Sequence, residues 1–134
     1  MIATYPLSAI VVVVALFVYI AFAMKVGKAR AKYNISAPLT DGPVEFQRVF
    51  RVHMNTLEQL VIFLPALAIF AAAWGDLAAA IVGIFWPLGR VLYARGYYDA
   101  AGKRGPGFGI SFLSSVVLLV GGLVGAVMQL ASAS

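Results

Sequence analysis

The chain has 134 residues, of which 63% are hydrophobic and 11% are charged, and its net charge at neutral pH is +5. Soluble domains are usually about 45–50% apolar and about 25% charged, so this composition excludes an ordinary soluble domain and predicts a membrane protein. The chain contains no cysteine and one histidine. Disulfides and a cysteine nucleophile are therefore excluded, and no metal site is expected.

Four apolar stretches predict four membrane-spanning helices, because each is long enough to cross a bilayer. They lie at about residues 6–26, 44–74, 77–98 and 106–131. Basic residues follow the first stretch and none precedes it, which argues against a cleaved signal peptide. Short connections favour an all-α, up-down four-helix bundle in the membrane, with residues 1–134 as one domain.

Prolines and turn residues mark the predicted helix boundaries. Pro43 fits the first turn of the second helix, and Gly75 begins a tight turn before the third. Pro65 and Pro87 lie inside spans, where each removes a backbone donor and is expected to kink its helix. The segment 27–42 is predicted to be the longest loop.

Basic residues concentrate at the first and third predicted loops. They are Lys25, Lys28, Arg30 and Lys32 at the first, and Arg95, Lys103 and Arg104 at the third. The positive-inside rule predicts that both loops are cytoplasmic and both termini outside. A multi-pass protein of this kind fits a bacterial inner membrane, or the endoplasmic reticulum if the source is eukaryotic. Membrane topology explains the positive charge, so no nucleic-acid partner is expected.

Polar side chains form two stripes within the second and third spans, each at the spacing of one helix face. The stripes are Arg51, Asn55, Glu58 and Arg90, Tyr93, Tyr97. A rise of about 1.5 Å per residue places Glu58 about 24 Å from Trp74 and Arg90 about 20 Å from Leu77, so both lie at similar depth measured from the same, far side of the membrane. Ionisable groups in lipid are costly, so both stripes are expected to line one cavity.

Two interpretations of these stripes remain open at this point. Glu58 and Arg90 could pair simply to fix the bundle. Alternatively, the arginines outnumber the single internal acid, which leaves room for an anionic ligand that also carries an ammonium group.

The residues around the stripes resemble a known family. The pattern E-F-x-R-V-x-R-x-x-x-N-x-x-E at 45–58 and the segment GRVLYARGYY at 89–98 are similar to the MAPEG family, the membrane-associated proteins in eicosanoid and glutathione metabolism. The resemblance covers essentially the whole chain. Within the family it looks like the leukotriene C4 synthase and microsomal glutathione transferase branches, including their bacterial members.

The resemblance implies a homotrimer that binds glutathione, a co-substrate, at its subunit interfaces near the cytoplasmic side. Arg104 matches the arginine that activates the glutathione sulfur. The second substrate would be a lipophilic electrophile or a lipid hydroperoxide dissolved among the membrane lipids. By position in the motifs, the glutathione-binding residues would be Arg30, Arg51, His53, Asn55, Glu58, Arg90, Tyr93 and Tyr97.

Two positions depart from the leukotriene synthase branch. Gln59 stands where that branch has a tyrosine, and Ala31 stands where it has a second arginine. Both changes weaken the eicosanoid assignment without weakening glutathione binding.

The expected function is therefore a membrane-bound glutathione transferase, with peroxidase activity toward lipid hydroperoxides as an extension. One alternative is a non-enzymatic lipid-binding member of the same fold. A small four-helix multidrug exporter is a weaker alternative, because such exporters carry an essential acid in the first helix and this first span is uncharged.

Overall fold

The computed structural model describes residues 2–133, which are almost entirely helical and contain no strand. Four helical segments in this part of the chain are long and apolar enough to cross a membrane. The prediction of an all-α bundle with four spans is therefore confirmed. The helices are α1 (Pro6–Tyr33), α2 (Val44–Trp74), α3 (Asp76–Gly83), α4 (Phe85–Asp99), a short 3₁₀ helix (Ala101–Arg104) and α5 (Gly105–Ala133).

Helix α1 is longer than the span predicted for it. It continues past residue 26 to Tyr33, because the basic segment that follows is rich in alanine, lysine and arginine, which favour helix. It ends at Asn34, which adopts a left-handed conformation with φ 55° and donates its N–H to the Arg30 carbonyl. The first half of the predicted loop 27–42 is thus helical, and Arg30 lies on α1.

The third span is interrupted near Pro87. Helix α3 ends at Gly83 and α4 begins at Phe85, because proline has no N–H to donate to the Gly83 carbonyl. Helix α5 packs over this break, where the Ser114 hydroxyl donates to the Val82 carbonyl at 2.8 Å. Helix α2, in contrast, is continuous through Pro65.

The end of the bundle at the α2–α3 turn, called here the far end, is closed by one carboxylate. Asp76 accepts hydrogen bonds from the backbone N–H groups of Leu7 at 2.9 Å and Ser8 at 2.7 Å. It thereby satisfies two free donors at the start of α1. Gly75 makes the preceding turn with φ 95°, which an L side chain rarely adopts.

An apolar core holds the middle and far half of the bundle together. Phe63 and Trp86 stack at 4.6 Å between ring centres, and both are fully buried along with Leu118. The opposite end, called here the loop end, contains the loop 34–43 and the 3₁₀ helix. Its core is smaller and includes Val52 and Tyr93.

Helices α4 and α5 touch at backbone distance near the loop end. A Cβ atom on Gly107 would overlap the backbone of Tyr93. This close approach places Phe108 against Tyr93, with ring centres 6.2 Å apart. It also brings Arg104, just before α5, beside Tyr97 of α4.

We therefore expect Gly107→Ala to destabilise the bundle, because the methyl group has no space between the two helices. Overpacking of this kind costs about 1–3 kcal/mol. Gly109→Ala is the matched control, since a Cβ there meets nothing within 4 Å and alanine favours helix by up to about 1 kcal/mol. Thermal unfolding in detergent, followed by circular dichroism, measures both. Equal melting temperatures for the two variants would contradict the close approach.

Candidate binding cleft between α2, α4 and α5

A polar cleft of about 410 Å³ opens between α2, α4 and α5 near the loop end. Residues from both predicted stripes meet there, together with the arginine of the 3₁₀ helix. The helical spacing therefore predicted correctly that the second and third spans share one cavity. The residues lining the cleft are Arg51, Asn55, Tyr93, Tyr97, Arg104 and Phe108.

Arg104 is directed toward the cleft by its own loop. Its Nη1 donates to the Ala101 carbonyl at 2.6 Å, and its guanidinium carbon lies 5.6 Å from the centre of the Tyr97 ring. Neighbouring Lys103 instead pairs with Asp99 away from the cleft lining. The loop thus orients one of its two cations into the site.

Arg51 and Glu58 form a bidentate ion pair two turns apart on α2. Nη2 of Arg51 lies 2.9 Å from Oε1 of Glu58, and Nη1 lies 3.2 Å from Oε2. The two side chains are 46% and 52% exposed. The interpretation in which Glu58 pairs with Arg90 is therefore wrong. Glu58 instead stands beside the cleft, held by a residue that lines it.

Arg90 lies behind the cleft wall and is completely buried. Its Nη2 donates to Oδ1 of Asn55 at 2.7 Å and to Oγ1 of Thr56 at 3.0 Å. The guanidinium also packs on the Tyr93 ring, 4.0 Å from its centre. Arg90 was expected to face the cavity, but these side chains occupy its donors and it does not line the cleft.

Arg30 and His53 lie outside the cleft lining, along the contact between α1 and α2 that is called here the α1 face. The His53 ring stacks on Tyr19 of α1 at 4.8 Å, and its buried Nδ1 finds no hydrogen-bond partner within residues 2–133. Nη1 of Arg30 donates to the Leu39 carbonyl. Neither residue lines the cleft of its own chain.

A wider opening of about 620 Å³ adjoins the cleft at the loop end. The two cavities share Arg51 and Tyr97, so a polar ligand can enter the cleft from the loop side. Asp41, Gln47 and Arg48 contribute polar groups to this opening.

The opposite wall of the cleft is apolar and reaches the outer surface. Phe108 lines the cleft, and its ring stacks on that of Phe112 at 5.6 Å. Phe112 is 46% exposed. Sequence reasoning missed Phe108, although its position four residues after Arg104 in the first turns of α5 was a usable signal. It also missed Thr56, which adjoins Asn55.

Four helical segments long enough to span a membrane indicate a multi-pass membrane protein, and the polar cleft between α2, α4 and α5 is its candidate binding site. The profile of the MAPEG family matches residues 8–124, which is most of the chain. The chain belongs to the MAPEG family, and the resemblance seen in its motifs is confirmed.

Individual relatives agree with this assignment. An uncharacterized protein of Synechocystis is 48% identical over 122 residues, which cover 91% of this chain and 89% of the relative. Human microsomal glutathione S-transferase 2 is 39% identical, over 76% of this chain and 70% of its own length. Mouse leukotriene C4 synthase is 37% identical, over 73% of this chain and 65% of its own length.

The exposure of the Arg51–Glu58 pair predicts that it contributes little to the stability of an isolated chain. We expect Glu58→Gln to change the free energy of unfolding by about 1 kcal/mol or less, because solvent-exposed ion pairs are weak. Denaturation of protein that light scattering shows to be monomeric in detergent measures this, with Asp99→Asn as a control that removes another exposed pair. A much larger loss for Glu58→Gln than for Asp99→Asn in the monomer would contradict the exposed position of the Arg51–Glu58 pair.

Proposed function

We propose that this protein is a membrane-bound glutathione transferase. The observation that carries the proposal is the cleft itself, where Arg51, Asn55, Tyr93, Tyr97 and Arg104 surround one space beside Glu58. Its volume of about 410 Å³ lies in the range of about 300–1,000 Å³ that is usual for small-molecule sites. Relatives named glutathione S-transferase and leukotriene C4 synthase support it.

The side chains of the cleft match the functional groups of glutathione. The peptide carries two carboxylates, one ammonium, two amides and a thiol. Guanidinium groups bind carboxylates through two parallel hydrogen bonds, and Arg51 has this capacity. Glu58 can accept the ammonium, while Asn55 and the two tyrosines can bond to peptide groups.

The Arg51–Glu58 pair suits a ligand end that carries both charges. An amino acid end offers a carboxylate to Arg51 and an ammonium to Glu58, so two new ion pairs replace one. No charge is left unpaired, which avoids the cost of burying an isolated ion. A simple dicarboxylate would leave Glu58 facing a like charge, so this arrangement favours the zwitterionic end of a peptide.

Arg104 is the residue proposed to activate the sulfur. A thiol has a pKa of about 8.5, so only a few per cent is thiolate at neutral pH. Lowering that pKa by about two units requires about 2.7 kcal/mol of preference for the anion. A cation at about 4 Å supplies about 4 kcal/mol at an effective dielectric of about 20. One arginine, which cannot compete for the proton, is sufficient.

The thiolate then attacks an electrophile that arrives from the bilayer along Phe108 and Phe112. With an electrophilic carbon, a C–S bond forms and either a leaving group departs or a proton is taken up. With a hydroperoxide, the sulfur takes the terminal hydroxyl as the O–O bond breaks, and the departing alkoxide takes up a proton to give an alcohol. A second glutathione attacks the resulting sulfenic acid, forms glutathione disulfide and releases water. The protein itself supplies no nucleophile.

The α1 face suggests that the site is shared between subunits of a homotrimer. The family resemblance implies that Arg30 and His53, the latter at a position where relatives often carry glutamine, contact glutathione, yet both lie away from the cleft of their own chain. The Arg51–Glu58 pair is half exposed at a membrane depth where charged groups must face protein or water. A neighbouring subunit that packs its α1 face against the cleft would bring Arg30 and His53 to the ligand and would also cover the Arg51–Glu58 pair.

Arg104→Ala tests the role assigned to the 3₁₀ helix. We expect the ultraviolet thiolate absorbance produced when glutathione is titrated into detergent-purified protein at neutral pH to disappear in this variant. Lys103→Ala is the control, because it removes the neighbouring cation outside the cleft and is expected to retain the signal. If the thiolate absorbance persists in Arg104→Ala, another cation must stabilise the thiolate. A wild-type protein that neither binds glutathione in calorimetry nor yields thiolate would favour the lipid-binding alternative.

Mixed oligomers test whether the site is shared. Arg30→Ala and Arg104→Ala subunits, each inactive alone, are co-expressed with different affinity tags and purified through both tags. In a cyclic trimer one site in each mixed assembly joins an intact cleft to an intact α1 face, so about one third of wild-type activity is expected. No recovery in mixed assemblies would place all site residues within one chain. Preparations purified from each variant alone give the background.

A further inference from the structure

Arg90 is a cation inside the bundle with no acid beside it. Its side chain is fully buried, and neither ion pair found among residues 2–133 includes it. Burying an unpaired charge is costly, especially within a membrane span. A neutral side chain of similar size would lower the free-energy cost of burial at this position. The buried guanidinium is therefore not explained by stability alone.

A directed set of hydrogen bonds holds this guanidinium. The Thr56 hydroxyl donates to the Val52 carbonyl at 2.8 Å, so the lone pairs of its oxygen can accept from Arg90. Nε and Nη2 of Arg90 donate to that oxygen at 3.3 and 3.0 Å. Nη2 also donates to Oδ1 of Asn55 at 2.7 Å. Thr56 thus fixes Arg90, and Arg90 fixes Asn55.

The direction of these bonds determines what Asn55 can offer to a ligand. A guanidinium has donors only, so it selects the oxygen of the Asn55 amide. The Nδ2 group, with its two N–H donors, remains on the other branch of the amide. Since Asn55 lines the cleft, these donors are available for a carbonyl or carboxylate oxygen of a bound molecule.

Arg90 also supports the second wall of the cleft. Its guanidinium packs 4.0 Å from the centre of the Tyr93 ring, and Tyr93 lines the cleft. One side chain from α4 therefore positions a residue of α2 and a residue of its own helix. Lysine could not do this, because a single ammonium lacks the planar fork that reaches Thr56 and Asn55 together.

We propose that Arg90 is a positioning residue of the cleft, which orients Asn55 as a donor toward an acceptor oxygen of the bound peptide without touching that peptide. This inference rests on the proposed function, since it takes glutathione as the ligand. It replaces the expectation that Arg90 itself holds a carboxylate of glutathione.

A double-mutant cycle tests the proposal through glutathione affinity, measured by calorimetry on detergent-purified protein. The variants are Arg90→Met, Asn55→Ala and the double variant. We expect each single change to weaken binding about tenfold, the equivalent of about 1.4 kcal/mol. If Arg90 acts mainly through Asn55, most of the loss caused by Arg90→Met disappears in the Asn55→Ala background, where only the packing of Arg90 on Tyr93 is left to lose. Losses that add to about a hundredfold would show an independent contact with Arg90 and overturn the proposal.

Kinetics separate positioning from general damage to the fold. We expect Arg90→Met to raise the KM for glutathione while kcat stays near the wild-type value, because Asn55 holds the peptide and Arg104 acts on the sulfur. A fall in kcat with KM unchanged would contradict the proposal. Arg95→Met is the matched control, since Arg95 is exposed on the same helix and lines neither the cleft nor its opening.

Thr56→Val keeps the inference testable if Arg90→Met fails to fold. Thr56 is fully buried and outside the cleft, and its hydroxyl is what holds the guanidinium. The variant is expected to weaken glutathione binding when Asn55 is present and to have no further effect in the Asn55→Ala background. An equal loss in both backgrounds would overturn the proposal. If the wild-type protein does not bind glutathione, the proposed function is wrong as well. If the wild-type protein binds normally and the losses are additive, only this inference is wrong.

Discussion

The constraint on which this structure depends is that polar groups within a membrane must find their partners inside the protein. Three parts of the bundle meet this requirement in different ways. The start of α1 uses the Asp76 carboxylate, and the break before α4 is covered by the Ser114 hydroxyl. At the loop end the same requirement gathers Arg90, Asn55 and Thr56 into one hydrogen-bonded group. The cleft forms beside that group.

This constraint gives the two span arginines opposite properties. The donors of Arg90 are turned inward to neutral acceptors and are fully shielded, so a ligand can reach them only by dismantling the core. Arg51 is paired with Glu58 at a half-exposed position, where an entering ligand can reach both charges. Arg51 is therefore free to exchange its partner for a ligand. The two arginines carry the same charge, so their difference in burial determines that Arg51 can bind a ligand and that Arg90 can only orient Asn55.

Much of this architecture could be predicted from the sequence, because it follows from length and periodicity. The number of spans and the meeting of the two stripes follow from helical geometry, and the break near Pro87 follows from the missing N–H of proline, although α2 continues through Pro65. The direction of each side chain within a stripe does not follow from helical geometry. A face about 100° wide includes residues that point into the core and residues that point beside it. Arg90 is fully buried, whereas Tyr97 of the same stripe is partly exposed and lines the cleft. The extent of α1 past residue 26 depended on helix propensity, which the loop prediction ignored.

The proposed trimer follows from the same constraint. A half-exposed ion pair and a polar α1 face are both unfavourable in contact with lipid. Neighbouring subunits would shield both from lipid if the α1 face of one packed against the ion pair of the next. Assembly would then complete the cleft, since Arg30 and His53 would reach it only from the adjacent chain. A ligand held by residues of two subunits binds the assembly and not the separated chain. Its binding energy therefore stabilises the oligomer by mass action, so that assembly and occupancy of the site would be one coupled equilibrium.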